Sequence, residues 1–167
     1  MIGEFTTISR REDSRTPPYA MLVIPCYNEK PGLRTTAAAL QRILRRLADM
    51  HQIDERSRVL FIDDGSTDGT WGVIRALHNE DPDLFHGLKL AHNKGHQNAL
   101  FAGLMHALHS DADVAISMDA DLQDDPGAVA GMVEAWREGA EIVYGVRDNR
   151  ETDTAFKRGT ATCSMRS

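Results

Sequence analysis

Apolar positions along the chain fall into two patterns. Short continuous blocks occur at Ala20–Pro25, Arg58–Asp63, His86–Ala91, Val114–Met118 and Glu141–Val146. Their length and their polar or glycine-bearing flanks predict buried strands. Between the blocks, apolar residues recur at helical spacing. Leu40, Ile43, Leu44 and Leu47 mark a first helix, and Trp71, Ile74 and Leu77 a second, with Ser66 as its cap. Leu100, Gly103, Leu104, Ala107 and Leu108 mark a third, entered through "HNKGHQN". In the fourth, Asp125 caps, Pro126 opens, Val129, Met132, Val133 and Trp136 form the buried face, and Gly139 ends it. Pro25 is expected to stop the first strand. Five strands alternating with helices, with no room for hairpins, predict an α/β domain with a mainly parallel sheet.

Bulk properties narrow the class. The 167 residues suffice for one domain with a real core. No apolar run approaches the ~20 residues of a membrane span, and the polar N-terminus has no signal-peptide pattern. The net charge of −6 argues against broad nucleic-acid binding. Cys26 and Cys163 fit no zinc spacing and suggest a reducing compartment. Residues 1–18 read as a flexible lead-in, 19–146 as the folded domain, and 147–167 as a locally basic segment.

In parallel α/β sheets, ligands bind beyond the carboxyl ends of the strands. The unusual residues gather there: Pro25-Cys26-Tyr27-Asn28-Glu29 after the first strand, Asp63-Asp64-Gly65-Ser66 after the second, Asp119-Ala120-Asp121 after the fourth, and Arg147 and Arg150 after the fifth. The stretch "MDADLQDDP" places four aspartates within seven positions, from Asp119 to Asp125. Like charges so close disfavour one another's ionisation. In an extended segment, residues two apart point the same way, so Asp119 and Asp121 share a face and Gln123 continues the row. Two carboxylates plus a substrate phosphate is a common way to hold Mg²⁺. Asp124-Asp125 fit a plainer role ahead of a helix, whose dipole favours negative charge. Asp63-Asp64-Gly65-Ser66 is equally ordinary turn chemistry, and Asn28 reads as a loop or capping residue. His92, His96, His106 and His109 lack a third metal partner and read as surface or capping groups.

"VIPCYNE", "FIDDGSTDGT", "NKGHQNALFAGL", "MDADLQDDP" and "YGVRDNRETDTAFKR" occur in one order across residues 20–158. That set resembles family 2 glycosyltransferases, and most closely their polyprenyl-phosphate branch, with dolichol-phosphate mannosyltransferase and bactoprenol glucosyltransferases. The resemblance implies a GT-A fold with an Asp-x-Asp metal site. It implies that Pro25, Tyr27, Glu29, Asp64 and the Ile62 backbone contact the nucleoside, with Ala120 in the substrate-binding set. Asp119, Asp121 and Gln123 would hold Mg²⁺ or Mn²⁺ against the diphosphate. Arg147 would face a phosphate, and Arg150, Lys157 and Arg158 the acceptor phosphate. The catalytic set is then Asp121, Arg147 and Arg150. The implied reaction is inverting transfer from a UDP- or GDP-sugar to undecaprenyl or dolichyl phosphate, on the cytoplasmic side of the membrane. Family members continue past this point, so the chain reads as a soluble donor half with an incomplete acceptor half, the membrane surface being met by the missing C-terminal part.

Rival readings are a sugar-nucleotide-binding module without turnover, a family 2 enzyme acting on a saccharide hydroxyl, and a haloacid-dehalogenase-like phosphatase. The last expects Thr or Val where Gln123 stands. A receiver domain lacks its phosphoacceptor Asp and late-strand Lys, and no Gly-x-Gly-x-x-Gly follows a strand as a dinucleotide fold requires.

Overall fold

The computed structural model describes residues 16–121 and 125–144. Strands β1 (Ala20–Cys26), β2 (Arg58–Asp63), β3 (Phe85–Lys89) and β4 (Val114–Ser117) alternate with helices α1 (Leu33–Asp49), α2 (Thr70–Glu80), α3 (His96–His109) and α4 (Ala128–Arg137). Every strand pair is parallel and the order is β3-β2-β1-β4. The winding reverses between β1 and β4, which opens a crevice at their carboxyl ends.

β1 is buried along its whole length, as a strand covered on both faces must be. Its period-two alternation divides the core. Ala20, Leu22, Ile24 and Cys26 pack with α1, α2 and α4. Met21 and Val23 pack with Leu60, Ile62 and the small residues of α3. Packing begins at Pro18, whose carbonyl accepts the Asp54 N–H at 2.8 Å.

Pro25 does not end β1. The strand continues on the β2 side through Pro25↔Ile62 and Cys26↔Asp63. What ends is the ladder with β4, whose last pair is Val23↔Ser117. Met118 N–H donates to the Val23 carbonyl, and the next bond across that edge would need an N–H on Pro25, which proline lacks. β4 therefore parts from β1 just before Asp119.

Four other expectations change. First, α2 starts at Thr70, and the Ser66 side chain does not cap it; Asp68 accepts the Thr70 N–H at 2.9 Å. Second, the buried face of α3 is Ala99, Gly103 and Ala107, while Leu104 and Leu108 point outward. A Cβ on Gly103 would stand 2.4 Å from Val23 Cγ1, so glycine allows α3 to lie almost on the strands. Third, residues 141–144 form no strand, and Ile142, Val143 and Tyr144 are exposed. That segment pairs with no described strand. Val146 lies outside the described residues. Fourth, α4 opens at Ala128 with Gly127 as its cap residue and no side-chain cap, Asp125 Oδ1 accepting the Gly127 N–H at 2.8 Å instead. Among the described residues no helix is long and apolar enough to cross a membrane.

Candidate functional site

Three loops at the carboxyl edge are tied into one platform. Asn28, held at a φ of 58°, accepts the Thr67 N–H on Oδ1 at 2.9 Å and donates its own N–H to Ser66 Oγ at 2.9 Å. Glu29 N–H donates to Thr70 Oγ1 and Lys30 N–H to Asp68 Oδ2. The β1–α1 loop is thereby stitched to the β2–α2 loop. The latter is joined to the β3–α3 loop through Asp64, whose Oδ1 accepts Lys94 N–H at 2.7 Å and Oδ2 accepts Gly95 N–H at 2.9 Å. Gly65, at a φ of 69°, lets the loops touch: a Cβ there would lie 2.5 Å from Asn93 N.

Asp119 and Asp121 are exposed while Ala120 between them is buried, so both carboxylates face outward from one edge. An anchor in α1 fixes this alternation. The buried Thr36 hydroxyl donates to the Ala120 carbonyl at 2.6 Å. Thr36→Val should leave that carbonyl without its donor in the core, at a cost of about 1–3 kcal/mol. Urea denaturation checks this, and an unchanged midpoint would remove the anchor from the account.

The ends of β1 and β4 converge electrostatically. Burial pushes the Glu29 carboxyl above its ordinary value, and the charges of Asp121, Asp68 and Asp119 push it further. A group with that shift binds protons more tightly in the folded chain than in the unfolded one. Its contribution to stability therefore falls as pH rises from the ordinary glutamate range through the folded pKa. In EDTA, Glu29→Gln should melt higher than the parent at neutral pH, with the gap closing as pH drops below that range. Scanning fluorimetry across pH tests this; a gap independent of pH would contradict it.

Pro25, His96, Leu100, Ser117, Met118 and Asp119 line a cleft of about 100 Å³ where β4 leaves β1. His96, the first residue of α3, places Nε2 3.9 Å from Asp119 Oδ1. Tyr27 stands half-exposed at the loop tip. Ile62 is fully buried within β2, its side chain in the core on the α3 side. The neighbouring Asp63 is equally buried, and its Oδ1 accepts the Ser66 N–H at 3.1 Å. Cys26 is a free, buried thiol, pushed up by its burial. Gln123, Arg147, Arg150, Lys157 and Arg158 lie outside the described residues.

The sites named from sequence thus divide. The structure brings Pro25 and Asp119 together at one cleft, with Asp121 exposed two residues on and Glu29 within reach of the charge of both acids. It gives Asp64 a defined task, holding the β3–α3 loop. Among the described residues, no group of three or more His, Cys, Asp and Glu forms a complete metal cage. Two exposed carboxylates are a donor set that a hard cation shared with a ligand's phosphates could use.

The comparisons with known proteins meet this geometry. Residues 21–162 match the glycosyl transferase family 2 profile. The chain belongs to that family. It is 45% identical over 147 residues to YkoT, an uncharacterized glycosyltransferase of Bacillus subtilis (strain 168), covering 88% of this chain and 43% of that protein. It is 36% identical over 140 residues to the bactoprenol glucosyl transferase of Shigella phage SfV, covering 84% of this chain and 42% of that protein. The chain therefore spans less than half the length of these relatives. The fold matches the mannosyltransferase PcManGT of Pyrobaculum calidifontis, solved with GDP-Man and Mn²⁺, at a TM-score of 0.57 and 24% identity over 73% of this chain and 33% of that one. The parallel sheet with flanking helices is that of a GT-A glycosyltransferase.

Sequence reasoning passed over two residues that touch the Asp119–Asp121 segment. Thr36 carried a signal, a hydroxyl on the otherwise apolar face of α1. His96 was set aside for want of a third metal partner; its neighbour Asp119 follows β4, a different element.

Proposed function

We propose that this chain binds a UDP- or GDP-linked sugar together with a divalent cation, and that the protein it represents transfers the sugar to a polyprenyl phosphate with inversion at the anomeric carbon. The observation that carries the reading is the pair of exposed carboxylates, Asp119 and Asp121, where β4 parts from β1, with Asp119 lining the cleft there and Glu29 feeling the charge of both. A chain gains nothing in stability from crowding three carboxylates there, whereas a cation-bound diphosphate would compensate them.

In this reading Pro25, Tyr27, Glu29 and Asp64 form the nucleoside side, with the Ile62 backbone beneath and Ala120 between the two carboxylates. Asp119 and Asp121, with Gln123, would hold Mg²⁺ or Mn²⁺. When bound, the cation supplies Lewis-acid stabilisation of the charge that develops on the leaving diphosphate. Asp121 and Asp119 orient that diphosphate, and Arg147 stands for the donor phosphate. Arg150, Lys157 and Arg158 receive the acceptor phosphate. An oxygen of the lipid phosphate then forms a bond to the anomeric carbon as the bond to the diphosphate breaks, and the nucleoside diphosphate departs. The nucleophile is already an anion, so positioning by cations replaces a strong general base. The similarity to a bactoprenol glucosyl transferase supports a polyprenyl acceptor.

The test is transfer of labelled sugar to a short polyprenyl phosphate by a chain of the relatives' length. Arg binds phosphate through a planar fork that Lys does not reproduce. Arg150→Lys should therefore cut transfer roughly tenfold, about the value of one charge-assisted bond, while donor binding persists. Transfer at the parental rate would reduce Arg150 to a solvated charge. Transfer to a saccharide hydroxyl but never to the lipid phosphate would overturn the acceptor and leave the donor reading standing.

A further inference from the structure

Helix α3 has two faces of opposite character. Ala99, Gly103 and Ala107 are buried against the sheet. Phe101, Leu104, Met105 and Leu108, spaced i, i+3, i+4 and i+7, are all exposed, Phe101 at 63% and Leu108 at 70%. Together they make a contiguous apolar stripe on the outside of the molecule. The charge around it is also distinctive. No carboxylate occurs between Asp83 and Asp111, in a chain whose net charge is −6. Lys94 stands just before the helix start. Toward its other end, on the same face of the sheet, stands Arg58, whose Nη1 lies 3.2 Å from His86 Nε2; burial, and then the Arg58 charge, hold His86 below its ordinary value, so Arg58 is the cation there.

We propose that α3 docks on an anionic lipid surface, its stripe at the headgroup boundary and Lys94 and Arg58 beside the lipid charges. A helix lying in the interface plane, with an apolar face below and cationic groups at its flanks, is the form such binding takes. Charge disfavours two other occupants. A second copy meeting through α3 would set the same acid-free span against itself. Residues 145–167 carry five Lys and Arg against three Asp and Glu, so that segment has the same sign as the span it would have to cover. The position is also consequential. His96 opens α3 and lies 3.9 Å from Asp119, so docking along α3 brings the carboxylate edge of the sheet to the membrane. The inference does not depend on which donor or acceptor the site takes.

Flotation with vesicles of phosphatidylcholine alone, or mixed with phosphatidylglycerol, tests it at low ionic strength. The chain should float with the anionic vesicles and roughly tenfold less with the neutral ones. The Phe101→Asp/Leu108→Asp variant, altered only at exposed positions, should fall to the neutral-vesicle level with circular dichroism and melting temperature retained. Arg42→Asp/Arg46→Asp, on exposed α1 positions in the opposite layer, should float as the parent does. Equal flotation of the parent and the stripe variant would overturn the proposal, as would indifference to lipid charge. So would a concentration-dependent dimer in sedimentation that the stripe variant abolishes, which would make α3 an interface between copies.

Discussion

Asp121→Asn should abolish most of the metal-supported binding of a nucleotide diphosphate while leaving the fold intact. Asp121 is exposed at the end of a segment whose geometry is fixed one residue earlier, by the Thr36 bond to the Ala120 carbonyl. The substitution therefore removes a charge and a hard oxygen donor without opening the core. Even outer-shell partners of a metal are worth about 10–100-fold in affinity, so a direct ligand should cost roughly a hundredfold. Paramagnetic titration of Mn²⁺ in the presence of UDP or GDP reads the effect. The same substitution should lower the charge that raises Glu29, so the metal-free variant should melt slightly above the parent. A variant that binds Mn²⁺ and nucleotide as the parent does would remove Asp121 from the metal site.

The second large effect concerns Asp64. Its two carboxylate oxygens hold the backbone N–H groups of Lys94 and Gly95, and the side chain is buried. Each hydrogen bond to a charged acceptor contributes about 1.5–3 kcal/mol. Asp64→Ala should therefore destabilise the chain by about 3 kcal/mol or more and release the β3–α3 loop. Nucleotide affinity should fall about ten- to a hundredfold, partly through lost nucleoside contact and partly through the displaced loop. Asp64→Asn separates the two contributions. It keeps one acceptor oxygen and so part of the loop bond, but loses the charge. Denaturation and calorimetry on both variants check the prediction, and an Asp64→Ala chain with parental affinity and midpoint would contradict it.

The two cases show what the sequence conveyed about this molecule and what it did not. Four strands and four helices were legible because each apolar block had strand length and each periodic stretch had a polar or glycine boundary. The exposure of Asp119 and Asp121 was legible as acids at the end of an apolar block, although the strand stops at Ser117 and the chain turns at Ala120-Asp121 rather than running on extended. The facing of α3 was not. Its leucines and its Ala99, Gly103 and Ala107 set repeat with the same helical period, so periodicity finds the helix without choosing its buried side. Only the closeness of Val23 and Ile62 selects the small residues. The segment at 141–144 reads as strand by composition, but a strand needs a partner, and among the described residues it has none. Asp64 illustrates the limit most directly: the sequence marks it as a loop-end acid, while its partners lie thirty residues on, in a loop that only the fold brings near.

The central claim, a cation-dependent nucleotide-sugar site at the β1–β4 crevice, is tested most directly by calorimetric titration of the chain with UDP- and GDP-sugars, in Mn²⁺ or Mg²⁺ and again in EDTA. The account predicts saturable binding of one nucleotide class with the metal present and a loss of at least roughly tenfold in EDTA, as expected where two carboxylates and a diphosphate share one cation. Equal affinity with and without the metal, or no binding of either class, would contradict it.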